Sequence, residues 1–159
     1  MILKGARIQP GQTGHEAAWQ LLEQLYLQHM EKPMPEVAHT HRGKPYFMDG
    51  SCHFSLTHTK KHVFCALSDR PVGIDGEEMD REIRPELADK ILSSREKVRY
   101  EEANDKRQAL LKLWVLKEAA AKCSGEGLQG YPKHTDFSPD DPRLTEIDGC
   151  FVAVIEEER

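Results

Sequence analysis

The residue pattern predicts an α+β fold. Two segments carry apolar residues at helical spacing, and a cluster of short β-like runs lies between them. The resulting order is strand–helix–strands–helices–strands, which segregates the two element types instead of alternating them.

The first run, MILKGARIQ, reads as a strand that Gln12-Thr13-Gly14 punctuates. HEAAWQLLEQLYLQHM follows, with Ala17, Ala18, Leu21, Leu22, Leu25 and Tyr26 on one helical side and Thr13 as the N-cap. EKPMPEVAHTHRGKP is a Pro-rich connection. The runs PYFM, CHFSL, HVFCAL and VGID are rich in aromatic and β-branched residues and read as strands, with Asp49-Gly50 as a hairpin-type dipeptide. PELADKILSSREKVRYEEA is mostly helical, with Pro85 in a first turn. DKRQALLKLWVLKEAAAKCSG is the strongest helix, and Gly125 ends it. LQGYPKHTDFSP and TEIDGCFVAVIEE read as closing strands.

A chain of 159 residues predicts one domain, or one internally doubled. That length buries roughly 70% of the unfolded surface, enough for a core. Hydrophobic and charged shares of 38% and 31% place it among soluble globular proteins. A net charge of −5 argues against a general nucleic-acid partner. No apolar run approaches the ~18 residues of a membrane span, and MILKGARIQPGQTG lacks the apolar core and cleavage site of a signal peptide. Cys52, Cys65, Cys123 and Cys150 are scattered and read as free thiols in a reducing compartment, the cytoplasm.

The chemistry-bearing residues form three groups. If 72–77 is a strand, Asp75 and Glu77 share a face, because side chains alternate with period two. Two acids on one face suit a hard cation such as Mg²⁺; the competing reading is a hairpin tip at Asp75-Gly76 with solvated acids. Trp114, Glu118 and Lys122 are spaced i, i+4, i+8 and line one helix side, either as a third carboxylate with a phosphate counter-charge or as an ordinary surface pair. Thr57, His58 and Lys44 are donors suited to phosphate oxygens; the plain alternative makes His58 a loop or core histidine.

Five motifs stand in a telling order: GKPYF, HFSLTHT, VGIDGEE, LWVLKEAAAK and GEGL. Across residues 43–128 they resemble the 4′-phosphopantetheinyl transferases of the type that activates peptide synthetases and broad carrier proteins. The resemblance implies two small, similar α+β halves packed side by side, 1–70 and 71–159, with the site between them. It implies transfer of 4′-phosphopantetheine from coenzyme A to a serine of an apo acyl or peptidyl carrier protein, with release of adenosine 3′,5′-bisphosphate. By position, Asp75, Glu77 and Glu118 would hold Mg²⁺. Lys122, Thr57 and His58 would contact the diphosphate, and Lys44 would lie near the adenosine end. Glu118 is the first candidate base, with Lys117 and Lys122 behind it; Lys122 and His58 complete the implied catalytic set. A monomer or small homo-oligomer is expected.

The chain departs from the family pattern in four ways. Gly76 replaces a bulky apolar residue, leaving a hole or a bulge that would let Glu78 replace Glu77 as ligand. Thr57 and Thr59 replace serines. Residues 8–31 carry no Lys or Arg where relatives hold the 3′-phosphate, leaving His15, Lys4, Arg7, Lys32 and Arg42 as substitutes. The chain is also short. A non-catalytic coenzyme A- or carrier-binding homologue is the alternative. A transition-metal protein built on His39, His41, His53, His58 and His62 is a third class, although those spacings match no standard zinc pattern.

Overall fold

The computed structural model describes residues 1–127 and 133–159. In chain order they form β1 (Ile2–Arg7), α1 (Gly14–Met30), β2 (Val37–His39), β3 (Pro45–Phe47), β4 (His53–His58), β5 (His62–Ser68) and β6 (Val72–Glu78). Then come α2 (Leu87–Ile91), α3 (Ser94–Glu102), α4 (Lys106–Ser124), β7 (Leu144–Ile147) and β8 (Cys150–Glu156). The α+β fold that the sequence predicts is the fold observed.

One plan is used twice. The first sheet has strand order β1-β5-β4 and the second β6-β8-β7, all antiparallel. In each, a first strand leads to a long helix, two more strands follow, and the last strand inserts in the middle. Thus β1, α1, β4 and β5 correspond to β6, α4, β7 and β8. Helix α1 covers one face of its sheet through Leu22, Leu25 and Tyr26 against Phe54, Val63 and Cys65. Helix α4 covers its own through Leu113, Leu116 and Ala119 against Phe151 and Ala153. A third cluster, built on Phe64, Ala66, Val72, Ile74, Cys150 and Val152, lies between the two sheets.

Among the described residues no ladder joins these two sheets; side chains bridge them. Ser55 Oγ accepts from Ile74 N at 3.0 Å, and Thr57 Oγ1 accepts from Gly76 N at 3.3 Å. Both pairs are 19 residues apart, so β4 and β6 run in the same direction.

Helix ends follow the sequence. Thr13 Oγ1 accepts from Glu16 N at 3.0 Å, and Gly125 caps α4 at φ 75°. Several expectations need correction. The Pro-rich connection contains β2, paired with β3. The Asp49-Gly50 turn joins no paired strands, since β3 pairs back to β2. The helical stretch from 85 breaks before Ser93, whose side chain caps α3 in a reciprocal box with Glu96. The last run is a hairpin, not one strand: Asp148 and Gly149 both take positive φ, 50° and 77°, the geometry of a two-residue turn. Of the strand expected at 128–139, residues 133–139 form none, and 128–132 lie outside the described residues.

Candidate active site

Strand β6 answers the two questions that Gly76 and Asp75-Gly76 pose. Its register against β8 is unbroken from Val72 to Glu78. There is no hairpin tip at Asp75-Gly76 and no bulge. Nor is there a hole: a Cβ on Gly76 would stand 3.1 Å from the ring of Phe64, which fills the space. Asp75 and Glu77 therefore share one face, and Glu78 lies on the other.

The face with the two acids is the one α4 covers. Gly73 makes the approach possible, since a Cβ there would fall 2.0 Å from Ala119 O and 2.3 Å from Cys123 N. This close seat brings Glu118 and Lys122 of α4 over Asp75. Lys122 Nζ lies 3.3 Å from Asp75 Oδ1 and donates to Leu56 O at 3.2 Å and Ile74 O at 3.1 Å. One ammonium thus ties the helix to both β4 and β6. Thr57 Oγ1 donates to Asp75 Oδ1 at 3.3 Å, and the second oxygen of Asp75 is buried without a hydrogen-bond partner among the described residues. Glu77 is held by Arg81, a cation that sequence reasoning did not single out; its signal was a basic residue four places on.

The acids feel one another. Burial pushes Asp75 up, against the pull of Lys122. Burial and then repulsion from Asp75 push Glu77 up. Burial, then Asp75, push Glu118 up to about 7. Such a trio is short of positive charge, and its all-oxygen donor set fits a hard divalent cation. Its oxygens do not lie in one tight cluster among the described residues, and Arg81 and Lys122 each pair with one acid. Among the described residues, the trio of ligand atoms lying within 4.8 Å of one another is a different one, His62, Glu78 and Cys150.

A groove of about 520 Å³ opens beside Glu118. Lys44, Lys122 and Arg42 line it, with Phe54, Leu56 and Ala121 as an apolar wall. Lys44 Nζ donates to Cys123 O at 2.7 Å and Val72 O at 3.4 Å, so this ammonium also caps α4. Arg42 donates to Glu126 O at 3.0 Å. His58 is exposed at the end of β4, its ring against Gly14 at the start of α1 and its Nδ1 3.4 Å from Thr59 O. No hydrogen bond among the described residues links it to the acids. Lys117 is not available as a base: 1% exposed, it is locked to the fully buried Glu96 at 2.5 Å.

Residues 71–151, half of the chain, match the family described as the 4′-phosphopantetheinyl transferase superfamily. Similar proteins include the 4′-phosphopantetheinyl transferase gsp of Aneurinibacillus migulanus, 34% identical over 88 residues. Another is the 4′-phosphopantetheinyl transferase Sfp of Bacillus subtilis (strain 168), 32% identical over 89 residues. Each alignment covers 54% of this chain, but only 36% and 39% of the respective relative. The matched residues contain β6 and α4, the two elements that bring Asp75, Glu77, Glu118 and Lys122 to one face, and on that match the chain belongs to the 4′-phosphopantetheinyl transferase superfamily.

Proposed function

We propose that the chain transfers 4′-phosphopantetheine from coenzyme A to a serine of an apo acyl or peptidyl carrier protein, with Mg²⁺, releasing adenosine 3′,5′-bisphosphate. The observation that carries this reading is the pairing of a strand and a facing helix that set three poorly solvated carboxylates beside a groove containing Lys122. The names of the two relatives support the reaction class.

In this reading the halves are 1–70 and 71–159, and the groove between them takes coenzyme A. Asp75, Glu77 and Glu118 hold the cation. Lys122 orients the diphosphate, with Thr57 and His58 on the β4 side and Lys44 and Arg42 toward the adenosine end. The serine oxygen bonds to the phosphorus that carries pantetheine, and the bond from that phosphorus to the bridging oxygen breaks. The serine proton passes to Glu118 as general base. Mg²⁺, when bound, neutralises the diphosphate and the leaving oxygen. Positioning and charge neutralisation supply most of the rate. The four free cysteines support a reducing compartment, the cytoplasm. No helix among the described residues is long and apolar enough to cross a membrane. A monomer or small homo-oligomer with no nucleic-acid partner completes the proposal.

Incubating the protein with coenzyme A, Mg²⁺ and apo carriers of several kinds, then weighing the carriers, tests it. Each accepted carrier gains one phosphopantetheine; E118A slows this by at least a hundredfold, roughly the 10²–10⁴ owed to a single acid–base group, and D75A, which loses a cation ligand, also abolishes it. If every carrier remains apo with wild-type protein, the proposal fails. A second reading, binding without turnover, is favoured by the lack of Lys and Arg in 8–31 and by the commitment of Lys44 to carbonyls. Calorimetry that detects coenzyme A binding in the absence of transfer selects it.

A further inference from the structure

On the side of β6 away from the acids lies a second cluster that the transfer chemistry does not use. His62 of β5, Glu78 of β6 and Cys150 of β8 bring Nδ1, a carboxylate and Sγ together. Nδ1 is 3.0 Å from Glu78 Oε1, Sγ is 3.4 Å from Nδ1, and Sγ is 3.4 Å from Glu78 Oε2. His62 is 3% exposed and Cys150 0%. The three strands come from both sheets, so the cluster sits across the junction, against the apolar group that includes Phe64 and Val152.

We propose that His62, Glu78 and Cys150 form a zinc site that staples the two sheets together. The donor set is the first reason: thiolate, imidazole and carboxylate together select zinc over Mg²⁺. Spacing is the second. Ligands 2.0–2.3 Å from a tetrahedral zinc stand roughly 3.3–3.6 Å apart; the Nδ1–Oε1 and Nδ1–Sγ separations, 3.0 and 3.4 Å, need to change by only a few tenths of an ångström, and one ligand atom from each residue lies within 4.8 Å of the others. The support around the ligands is the third. Thr59 Oγ1 donates to Glu78 Oε1 at 2.7 Å, which orients the carboxylate as outer partners of metal ligands do. The fourth position goes to water from the neighbouring cavity of about 600 Å³, which Thr59, Lys61, Glu78 and Arg81 line.

Loading releases one proton. The Cys150 thiol loses it, and the imidazole carries its own on Nε2 so that the Nδ1 lone pair is free. Nε2 is buried and has no hydrogen-bond partner among the described residues, so placing the proton there breaks no hydrogen bond. The thiol–carboxylate and imidazole–carboxylate hydrogen bonds are exchanged for metal bonds. His39, His41, His53 and His58 take no part.

The test uses the whole wild-type protein and Co²⁺ as a spectroscopic stand-in. Titration should give one equivalent, with the near-ultraviolet band of a thiolate–cobalt bond and the visible bands of a tetrahedral site. Zinc should displace the cobalt, whereas Mg²⁺ should not. X-ray absorption of the zinc form should show one sulfur at about 2.3 Å and at least one imidazole. Zinc at a hundredfold excess over its Kd should raise Tm by roughly 5–10 °C. C150A should lose the charge-transfer band and H62Q should weaken binding at least tenfold, while D75A should change neither. Absence of a thiolate band in the wild type overturns the proposal whether or not any variant folds. So does a sulfur-free coordination shell, or a band that survives in C150A. None of these outcomes depends on transferase activity.

Discussion

At the scale of the residue, Glu118 separates the roles that acids play in this molecule. Glu78, although partly buried, is held below the usual glutamate value, because hydrogen bonds from Thr59, His62 and Cys150 outweigh the burial. Glu118 accepts no such hydrogen bond among the described residues, and burial and then Asp75 outweigh the pull of Lys122 and Arg81, so it rises from 4.5 to about 7. Between those values the folded chain holds a proton that the unfolded chain has released. The stabilisation is fully present below about pH 4.5 and lost as pH climbs through 7. Denaturant titrations of metal-free protein should show stability falling over that window by roughly 1–2 kcal/mol, allowing for solvent screening. E118Q should flatten the slope, and saturating Mg²⁺ should reverse the wild-type loss near pH 7. An unchanged slope in E118Q would place the raised proton elsewhere. The Glu–Lys spacing on α4 was legible in the sequence, but this environment was not. It arises from Asp75 and Glu77 of β6, 43 and 41 positions earlier in the chain.

At the scale of the element, two glycines of β6 look alike in sequence and differ in what they face. A Cβ at Gly73 meets backbone atoms of α4 at 2.0 and 2.3 Å, and neither atom can move without unseating the helix. A Cβ at Gly76 meets only the edge of Phe64 at 3.1 Å, a ring that can give a little. G73A should therefore cost about 3 kcal/mol, at the upper end of over-packing penalties, and weaken the proposed coenzyme A binding because Glu118 and Lys122 ride on α4. G76A should stay within about 1 kcal/mol, since the contact cost is offset by the backbone entropy that Gly loses on folding. Urea unfolding of both variants checks the ranking; equal costs would refute the close-seat account of α4. Sequence alone marked Gly76 as the anomaly and passed over Gly73. The motif pattern draws the eye to the acids, whereas the need for glycine comes from a helix that local periodicity cannot position. Long helices with strong caps, α1 and α4, were legible throughout. The three-residue β2 was not, although β3, equally short, was read in PYFM; β2 is defined by its hydrogen-bond partner and not by its own composition.

At the scale of the whole molecule, the family match covers residues 71–151, whereas the proposed site draws on both repeats of the strand–helix plan. The second plan supplies Asp75, Glu77, Glu118 and Lys122. The first supplies Lys44, the carbonyl of Leu56 that Lys122 grips, and the hydroxyl of Thr57 beside Asp75. The apolar cluster between the sheets draws Phe64 and Ala66 from one plan, and Val72, Ile74, Cys150 and Val152 from the other, all 0% exposed. Splitting the chain after Arg70 would expose those side chains at roughly 1.5–3 kcal/mol for each large one, against a total stability of only about 5–15 kcal/mol for a typical protein. A fragment of residues 71–159 made alone should therefore keep helical circular dichroism but lose cooperative unfolding and bind a hydrophobic dye. Adding the 1–70 fragment should restore a cooperative transition and, with it, the proposed coenzyme A binding. A 71–159 fragment that unfolds cooperatively by itself would mean that the cluster between the sheets is dispensable, and that each plan is a free-standing domain.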